Sequence, residues 1–539
     1  MQRLSVIDRQ IIWDRLVSVV EEQAQALLRT AFSTIVRECG DLSAGIFDVE
    51  GRMLAQAVTG TPGHVNSMAE SVKHFLDAFP PETMQEGDVY ITNDPWRGTG
   101  HLNDFVVTTP AFHQGRLVGL FSCTSHLTDI GGIGFGPDAT DVLMEGIALP
   151  FLKVVDRGEV NRTLIEICKA NSRLPVEMEG DIYSLIACND VGVVRLEETM
   201  REFALDDLGE IGSHIVDTSR ASVLEALAAL PAGSYRYAMT IDGYDQPIDL
   251  VAAVTIGADG VVVDFDGTSP QQARGINVPL AYTTAYTCFG LMCAISPKVP
   301  NNAGSLGCFR VTAPAGTILN AGYPAAVSSR HIVGQMLPDV VFGCLRQALP
   351  DRCPAEGTSC LWNMTFRGPR AGSNDNRYGF AITVTSNGGT GGRPMRDGLS
   401  ATAYPSGVKG TPVEIVEAMT PLLFWRKELR PGSGGAGRFR GGHGQIIEVE
   451  NLDGLPFELL AAFDRINFPP RGAEGGAAGA AGVLRTSSGR TLSGKGFQTL
   501  AGDERLIVMT PGGGGYGPPN ARDAALLERD RQHELDRPD

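Results

Sequence analysis

Apolar residues near the start of the chain recur at helical spacing. Ile12, Leu16, Val19, Val20, Ala24, Leu27, Leu28 and Ala31 form one stripe, and Ser5 stands where an N-cap belongs. This predicts a long amphipathic core helix. A strand is expected after the Gly40-Asp41 turn, pairing with residues 53–57 across Val49-Glu50-Gly51. Met68, Val72, Phe75 and Leu76 mark a short helix just after His64. Phe105 to Thr109 and Leu117 to Cys123 are β-rich, with Gln114-Gly115 between them, and read as a hairpin. Residues 137–175 read as loops and short helices. Asp181 starts a helix carrying Ile182, Leu185, Ile186 and Val191, with Arg195, Glu197, Arg201 and Glu202 on a solvated face beyond it.

The pattern changes after Ala232. Tyr237 to Ile241, Leu250 to Ile256 and Val261 to Phe265 alternate with Gly-Asp turns, as an antiparallel sheet requires. Thr283 to Ile295 reads as a buried helix, and Val333 to Leu349 as another with Pro338 inside it. The expected fold class is α+β and multidomain. A mixed α/β region at 1–228 is followed by a sheet-rich domain with buried helices at 229–370. A Gly-rich, β-rich domain at 371–520 and a charged tail at 521–539 complete the chain.

With 539 residues, the chain has material for several cores. Sixty-two acidic against 45 basic residues give a net charge of −17, which argues against nucleic acid as a partner. Asp8, Arg9, Asp14 and Arg15 interrupt what a secretory leader would need as its apolar core. The most apolar stretch, residues 281–295, is too short to span a bilayer. Ten cysteines without a Cys-x-x-Cys suggest buried reduced thiols and a cytoplasmic location. The Gly-rich segments 388–394 and 432–437 lack the Gly-Lys-Ser/Thr ending of a phosphate loop, so no ATP site is readable.

The chemistry concentrates between Asn93 and Gly132. Two His-x-x-Asp units, His101 to Asp104 and His126 to Asp129, flank the predicted hairpin, which brings its outer ends together. Imidazole and carboxylate suit zinc, manganese or iron(II), and three protein ligands leave a position open. The other reading is that these are hydrogen-bonded turn residues. Asp129 follows His126 by one turn and is placed to orient it. Glycines 98, 100, 131 and 132 allow tight backbone there.

Asn93-Asp94-Pro95, His101-Leu102-Asn103-Asp104 and His126-x-x-Asp129-Ile130-Gly131-Gly132 together resemble the signature of the hydantoinase B/oxoprolinase family. The likeness continues through Glu145-Gly146-Ile147-x-x-Pro150, Asn171-x-Arg173-x-Pro175 and Gly180-Asp181 to the tail Gly512-Gly513-Gly514-Gly515-Tyr516-Gly517. Arg37-Glu38, Asp41 and Ser43 fit the same pattern, with Gly40 as a small departure. The resemblance implies one divalent metal (zinc, manganese or iron) on His101, Asp104 and His126. It implies a B-type subunit in a hetero-oligomer, with ATP consumed by an A-type partner subunit. The implied substrate is a cyclic amide (a hydantoin, 5-oxoproline or a lactam), opened by hydrolysis. The alternatives are an ATP-dependent ketone carboxylase subunit and a non-catalytic assembly protein. Asp41 either approaches the metal or caps its turn. His64 is a proton carrier, a further ligand or a helix cap. With Asp129, these are the candidate catalytic residues.

Overall fold

The computed structural model describes residues 4–372 and 379–536. The first helix, Val6–Thr30, opens with a capping box. Ser5 Oγ accepts from Asp8 N at 3.1 Å, and Asp8 Oδ2 accepts from Ser5 N at 3.1 Å. Its stripe of Ile12, Leu16, Val20, Ala24 and Leu27 is fully buried against the long helix Pro175–Glu202 and the first sheet.

That sheet is antiparallel and seven-stranded. Its strands are β1 (Leu42–Phe47), β2 (Met53–Gln56), β3 (Val89–Thr92), β4 (Asp104–His113), β5 (Arg116–His126), β6 (Leu152–Asp156) and β7 (Glu159–Val160). Their order across the sheet is β2-β1-β5-β4-β3-β6-β7. Because side chains alternate between faces, Phe105 and Val107 pack toward the two long helices, while Val106 packs on the opposite face with Met68, Val72 and Phe75 of helix Pro62–Ala78. Both faces are covered, so all six residues of β1 are buried.

A second, four-stranded sheet runs Phe309–Thr312, Gly260–Asp264, Ile248–Gly257, Gly233–Ile241; only its first pair is parallel. The buried helix Leu280–Ile295 and the helix Leu337–Leu345 cover it. The single helix expected over Val333 to Leu349 is instead two short ones, His331–Gly334 and Leu337–Leu345. Pro338 sits in the first turn of the second, where a missing N–H costs nothing.

Two more four-stranded sheets follow. One orders Phe380–Ser386, Trp362–Gly368, Phe457–Ala462, Lys495–Leu500, and the other Leu422–Leu429, Gln445–Asn451, Leu506–Met509, Val483–Thr486. The division expected at residue 370 falls inside a hairpin, since 362–368 and 380–386 pair from Trp362↔Ser386 to Gly368↔Phe380. One apolar core, including Val263, Leu291, Trp362, Phe366, Val449 and Val508, runs through all three later sheets. The charged tail carries the helix Ala524–Gln532, held by buried Asp530 to Arg522 (2.6 Å) and Arg440 (3.3 Å). All ten cysteines are free, and Cys293 alone is exposed. Among the described residues no helix is long and apolar enough to cross a membrane.

The glycine-rich segments come together as a bundle of extended chains around residues 511–517. Gly513 N donates to Gly442 O at 2.9 Å, Gly514 N to Glu356 O at 2.8 Å, and Gly515 N to Ala477 O at 2.8 Å. In return Gly513 O accepts from Gly435 N and Gly514 O from Gly392 N. Backbones approach so closely that a Cβ on Gly513 would overlap the Thr390 carbonyl, and one on Gly441 the carbonyl of Gly513. Gly513→Ala should therefore destabilise the protein by about 1–3 kcal/mol or more through forced backbone shifts. Gly322→Ala, where an added methyl meets open space, should stay within about 0.5 kcal/mol. Denaturant midpoints of the two variants check this contrast.

Candidate metal centre

The hairpin does what its sequence pattern requires. β4 and β5 pair in register with Asp104 directly opposite His126 at the open end. His101 is presented by the loop entering β4, and that loop is braced by Asn93. Asn93 Nδ2 donates to Leu102 O at 2.7 Å and Ile147 O at 2.9 Å, while Asn93 Oδ1 accepts from Leu149 N at 2.6 Å. Gly100 has a φ of +95°, and a side chain there would strike Arg330.

Asp104 is the centre of the cluster. Its Oδ1 lies 2.6 Å from His101 Nε2 and 3.2 Å from His126 Nδ1. Its Oδ2 receives Arg330 Nη2 at 2.6 Å and lies 3.0 Å from His64 Nε2. Arg330 Nε also donates to Thr99 O at 2.7 Å, and its guanidinium stacks 4.0 Å over the buried Tyr282 ring. Burial opposes the charge on Asp104, but His64 and Arg330 hold its carboxyl well below the usual range.

The donor set suits a divalent cation, on an argument from tautomers. His101 Nδ1 lies 2.8 Å from Ser328 O, a carbonyl that can only accept, so this nitrogen carries the proton. Burial and then Arg330 push the His101 pKa down to about 3, keeping the ring neutral. Its Nε2 therefore turns a lone pair toward a carboxylate oxygen at 2.6 Å. Two lone pairs face each other, an arrangement that a shared cation makes favourable. His126 Nε2, buried and without a partner, is a further spare donor. One ligand atom from each of His101, Asp104 and His126 lies within 4.8 Å of the others. A divalent ion bound there would leave coordination positions for water or substrate.

His64 and Asp41 join this group. His64 is the third residue of helix Pro62–Ala78, and its side chain faces Asp104 and, at 3.5 Å, Asp41 Oδ1. Burial disfavours its proton, yet the two carboxylates more than offset this and raise its pKa. The helix-cap reading of His64 does not hold, because both its nitrogens point at carboxylates. Asp41 Oδ1 accepts from Thr61 Oγ1 at 3.1 Å, and Asp41 lines the same cavity.

Asp129 is elsewhere. Arg173 Nε donates to its Oδ2 at 2.6 Å and Gly131 N to its Oδ1 at 2.8 Å, while His126 Nδ1 faces Asp104 instead. The expectation that Asp129 orients His126 is corrected accordingly. Asp129 and Arg173 pin the loop that carries Phe135, whose ring packs edge-on to His126 at 4.8 Å and stacks on His331 at 5.8 Å.

The remaining wall comes from distant segments: His331, Gln335, Asn363 and Thr383. Burial and Arg330 hold His331 well below the usual imidazole range, so it too is neutral. The enclosed space is about 20 Å³, room for about one water. Arg330, His331, Tyr282 and Phe135 were not legible as site residues. Spacing does not mark them, and Ser328-Ser329-Arg330-His331 reads in the sequence only as a polar loop.

A model of the Hydantoinase B/oxoprolinase family matches residues 5–519. A putative D-/L-hydantoinase B-type subunit of Pseudomonas sp. is 30% identical over 97% of this chain and 92% of its own. The crystal structure of the ATP-dependent caprolactamase from Pseudomonas jessenii superposes with a TM-score of 0.89 at 26% identity, covering 99% of this chain and 95% of that one. The nucleotide-free structure of acetone carboxylase shares the fold, with a TM-score of 0.84 at 18% identity over 97% of this chain and 78% of that one.

The geometry makes a direct forecast. His101→Ala should lose a divalent ion that the unmodified chain takes up, with its circular dichroism spectrum unchanged. Asp129→Asn should keep that ion and lower thermal stability, because it weakens the pairing with Arg173. Elemental analysis and a melting curve on both variants test the two roles.

Proposed function

The chain belongs to the hydantoinase B/oxoprolinase family, and from that premise we propose that it is the metal-bearing B-type subunit of an ATP-dependent enzyme that opens a cyclic amide. The observation that carries this reading is the neutral His101 facing the Asp104 carboxylate at 2.6 Å, beside His126. The related hydantoinase subunit and the caprolactamase, which are named for cyclic-amide chemistry, support it.

A cyclic amide resists water because nitrogen donation makes its carbonyl carbon a poor electrophile. In this proposal an A-type partner subunit transfers the γ-phosphoryl group of ATP to the carbonyl oxygen. Water then adds at the carbonyl carbon, the C–N bond breaks, and the nitrogen takes up a proton. A second water cleaves the resulting acyl phosphate to carboxylate and phosphate. A divalent ion on His101, Asp104 and His126 would supply Lewis acidity and favour deprotonation of water near neutral pH.

The chain's own groups divide the remaining work. Arg330 pairs with one Asp104 oxygen and leaves the other toward His101 and His126. Asp41 and His64 line the cavity together, and in this proposal they take the proton from water and return it to nitrogen. His64 shuttles that proton, because its ring bridges Asp104 and Asp41. Phe135, Tyr282 and the neutral His331 line the site.

Two measurements test the reading. Purified alone, the chain should neither cleave ATP nor turn over a cyclic amide. With its A-type partner, ATP cleavage should respond to lactams or hydantoins without needing bicarbonate. A response only to ketones with bicarbonate would transfer the assignment to carboxylation, and turnover by the single chain would sink the division of labour. In the complex, His64→Ala should retain the metal and slow turnover by ~10²–10⁴-fold, the usual loss for a general acid or base. Wild-type rates across the pH range in that variant would remove the shuttle.

A further inference from the structure

Glu145 is a buried carboxylate for which the proposed chemistry has no use. It follows the short turn Val142–Met144, is 3% exposed, and its side chain bonds only to peptide groups distant in sequence. Its Oε1 accepts from Val327 N at 2.6 Å and from Ser328 N at 2.7 Å, while its Oε2 has no hydrogen-bond partner. Burial drives its pKa up to about 8 despite those two donors. A group this costly to bury would be replaced by water or a neutral side chain if it merely filled space.

The two peptide groups it holds lead straight into the metal centre. Ser328, whose N–H is gripped by Glu145, offers its carbonyl to His101 Nδ1 at 2.8 Å. Two residues on, Arg330 reaches Asp104 Oδ2 at 2.6 Å. Ser329 N is tied separately to Gly275 O at 2.7 Å. The segment 327–330 thus fixes the tautomer and ring orientation of one candidate ligand and neutralises the other, and Glu145 fixes the segment. We propose that Glu145 is a positioning residue for the metal centre, acting through the Ser328 peptide on His101 and through Arg330 on Asp104. The proposal rests on the metal reading above and adds to it the residue that sets how well the centre is formed.

The requirement is for an acceptor at the position of Oε1. Glu145→Gln keeps that acceptor, with nearly the same shape. Aspartate keeps the carboxyl group but draws the acceptor back by one methylene, and alanine removes it. The test is Co²⁺ binding to the full chain, read by chelator competition and by the visible absorption of the bound ion, which reports ligand geometry. Glu145→Gln should bind within about threefold of the unmodified protein with the same spectrum. Glu145→Asp and Glu145→Ala should each bind about 10–100-fold more weakly, as loss of an outer partner typically does, with an altered spectrum. A merely structural role would lower the melting temperature of the variants without changing the spectrum of bound Co²⁺. Should Glu145→Ala fail to fold, Glu145→Asp with Glu145→Gln as the rescue decides the matter. Unchanged affinity and spectrum in Glu145→Asp overturn the role of Glu145 alone. No Co²⁺ uptake by the unmodified chain, or uptake that survives His101→Ala, overturns the metal reading and this proposal with it.

Discussion

A carboxylate with 1% exposure organises this protein. Asp104 cannot be buried as an anion unless cationic or donating groups meet both of its oxygens. Oδ2 is met by Arg330 and His64, and Oδ1 faces His101 and His126. Each partner is then delivered by a different element. Strand β5 brings His126, the loop into β4 brings His101, the first turn of helix Pro62–Ala78 brings His64, and the segment before helix His331–Gly334 brings Arg330. The seven-stranded sheet and the later core are joined at this point because the charge requires groups from both.

That division explains what could be read in the chain and what could not. The hairpin is local: two β-rich runs joined at Gln114-Gly115 pair with each other, and that pairing sets Asp104 beside His126. His101 comes with it, three residues upstream. Arg330 lies 226 residues from Asp104, and Glu145 lies 183 from Ser328. No spacing rule reaches that far, so those two stood in the sequence only as members of an unexplained loop and motif. Asp129 shows the opposite error, where closeness in sequence to His126 suggested a contact. Arg173, 44 residues away, captures that carboxylate, and the turn through Gly131 points it away from the hairpin end.

The glycine-rich segments carry the same lesson at a larger scale. Taken singly, residues 388–394 and 432–437 are loops that lack a phosphate-loop ending, and 512–517 is a glycine turn. Their common purpose appears only when they are assembled, because at Gly389, Gly391, Gly441 and Gly513 a neighbouring backbone carbonyl occupies the place a Cβ would take. Composition recorded the excess of glycine, yet the reason is a three-dimensional packing that no one segment contains. The supposed boundary at residue 370 failed for a related reason. The Gly-rich composition beyond it suggested a new domain, but the strands on either side pair with each other.

The strongest rival to the metal centre is a structural ion cluster in an assembly protein, and the inventory of groups weighs against it. Burying Asp104 beside Arg330 would satisfy a structural role with one bidentate-capable partner. The cavity instead holds His64, His101, His126 and His331 as well, all at most 4% exposed. Burial keeps His101 and His331 neutral, so neither supplies the positive charge a structural pair would seek. His126 Nε2 is left without a hydrogen-bond partner, at about 1–3 kcal/mol for a buried polar group so stranded. A protein selected only for stability has no use for such groups, since apolar side chains of similar volume would be at least as stable. A neutral His101 whose Nε2 lone pair faces a fixed carboxylate is costly in a packed core and useful around a cation, and that asymmetry favours a centre built for chemistry.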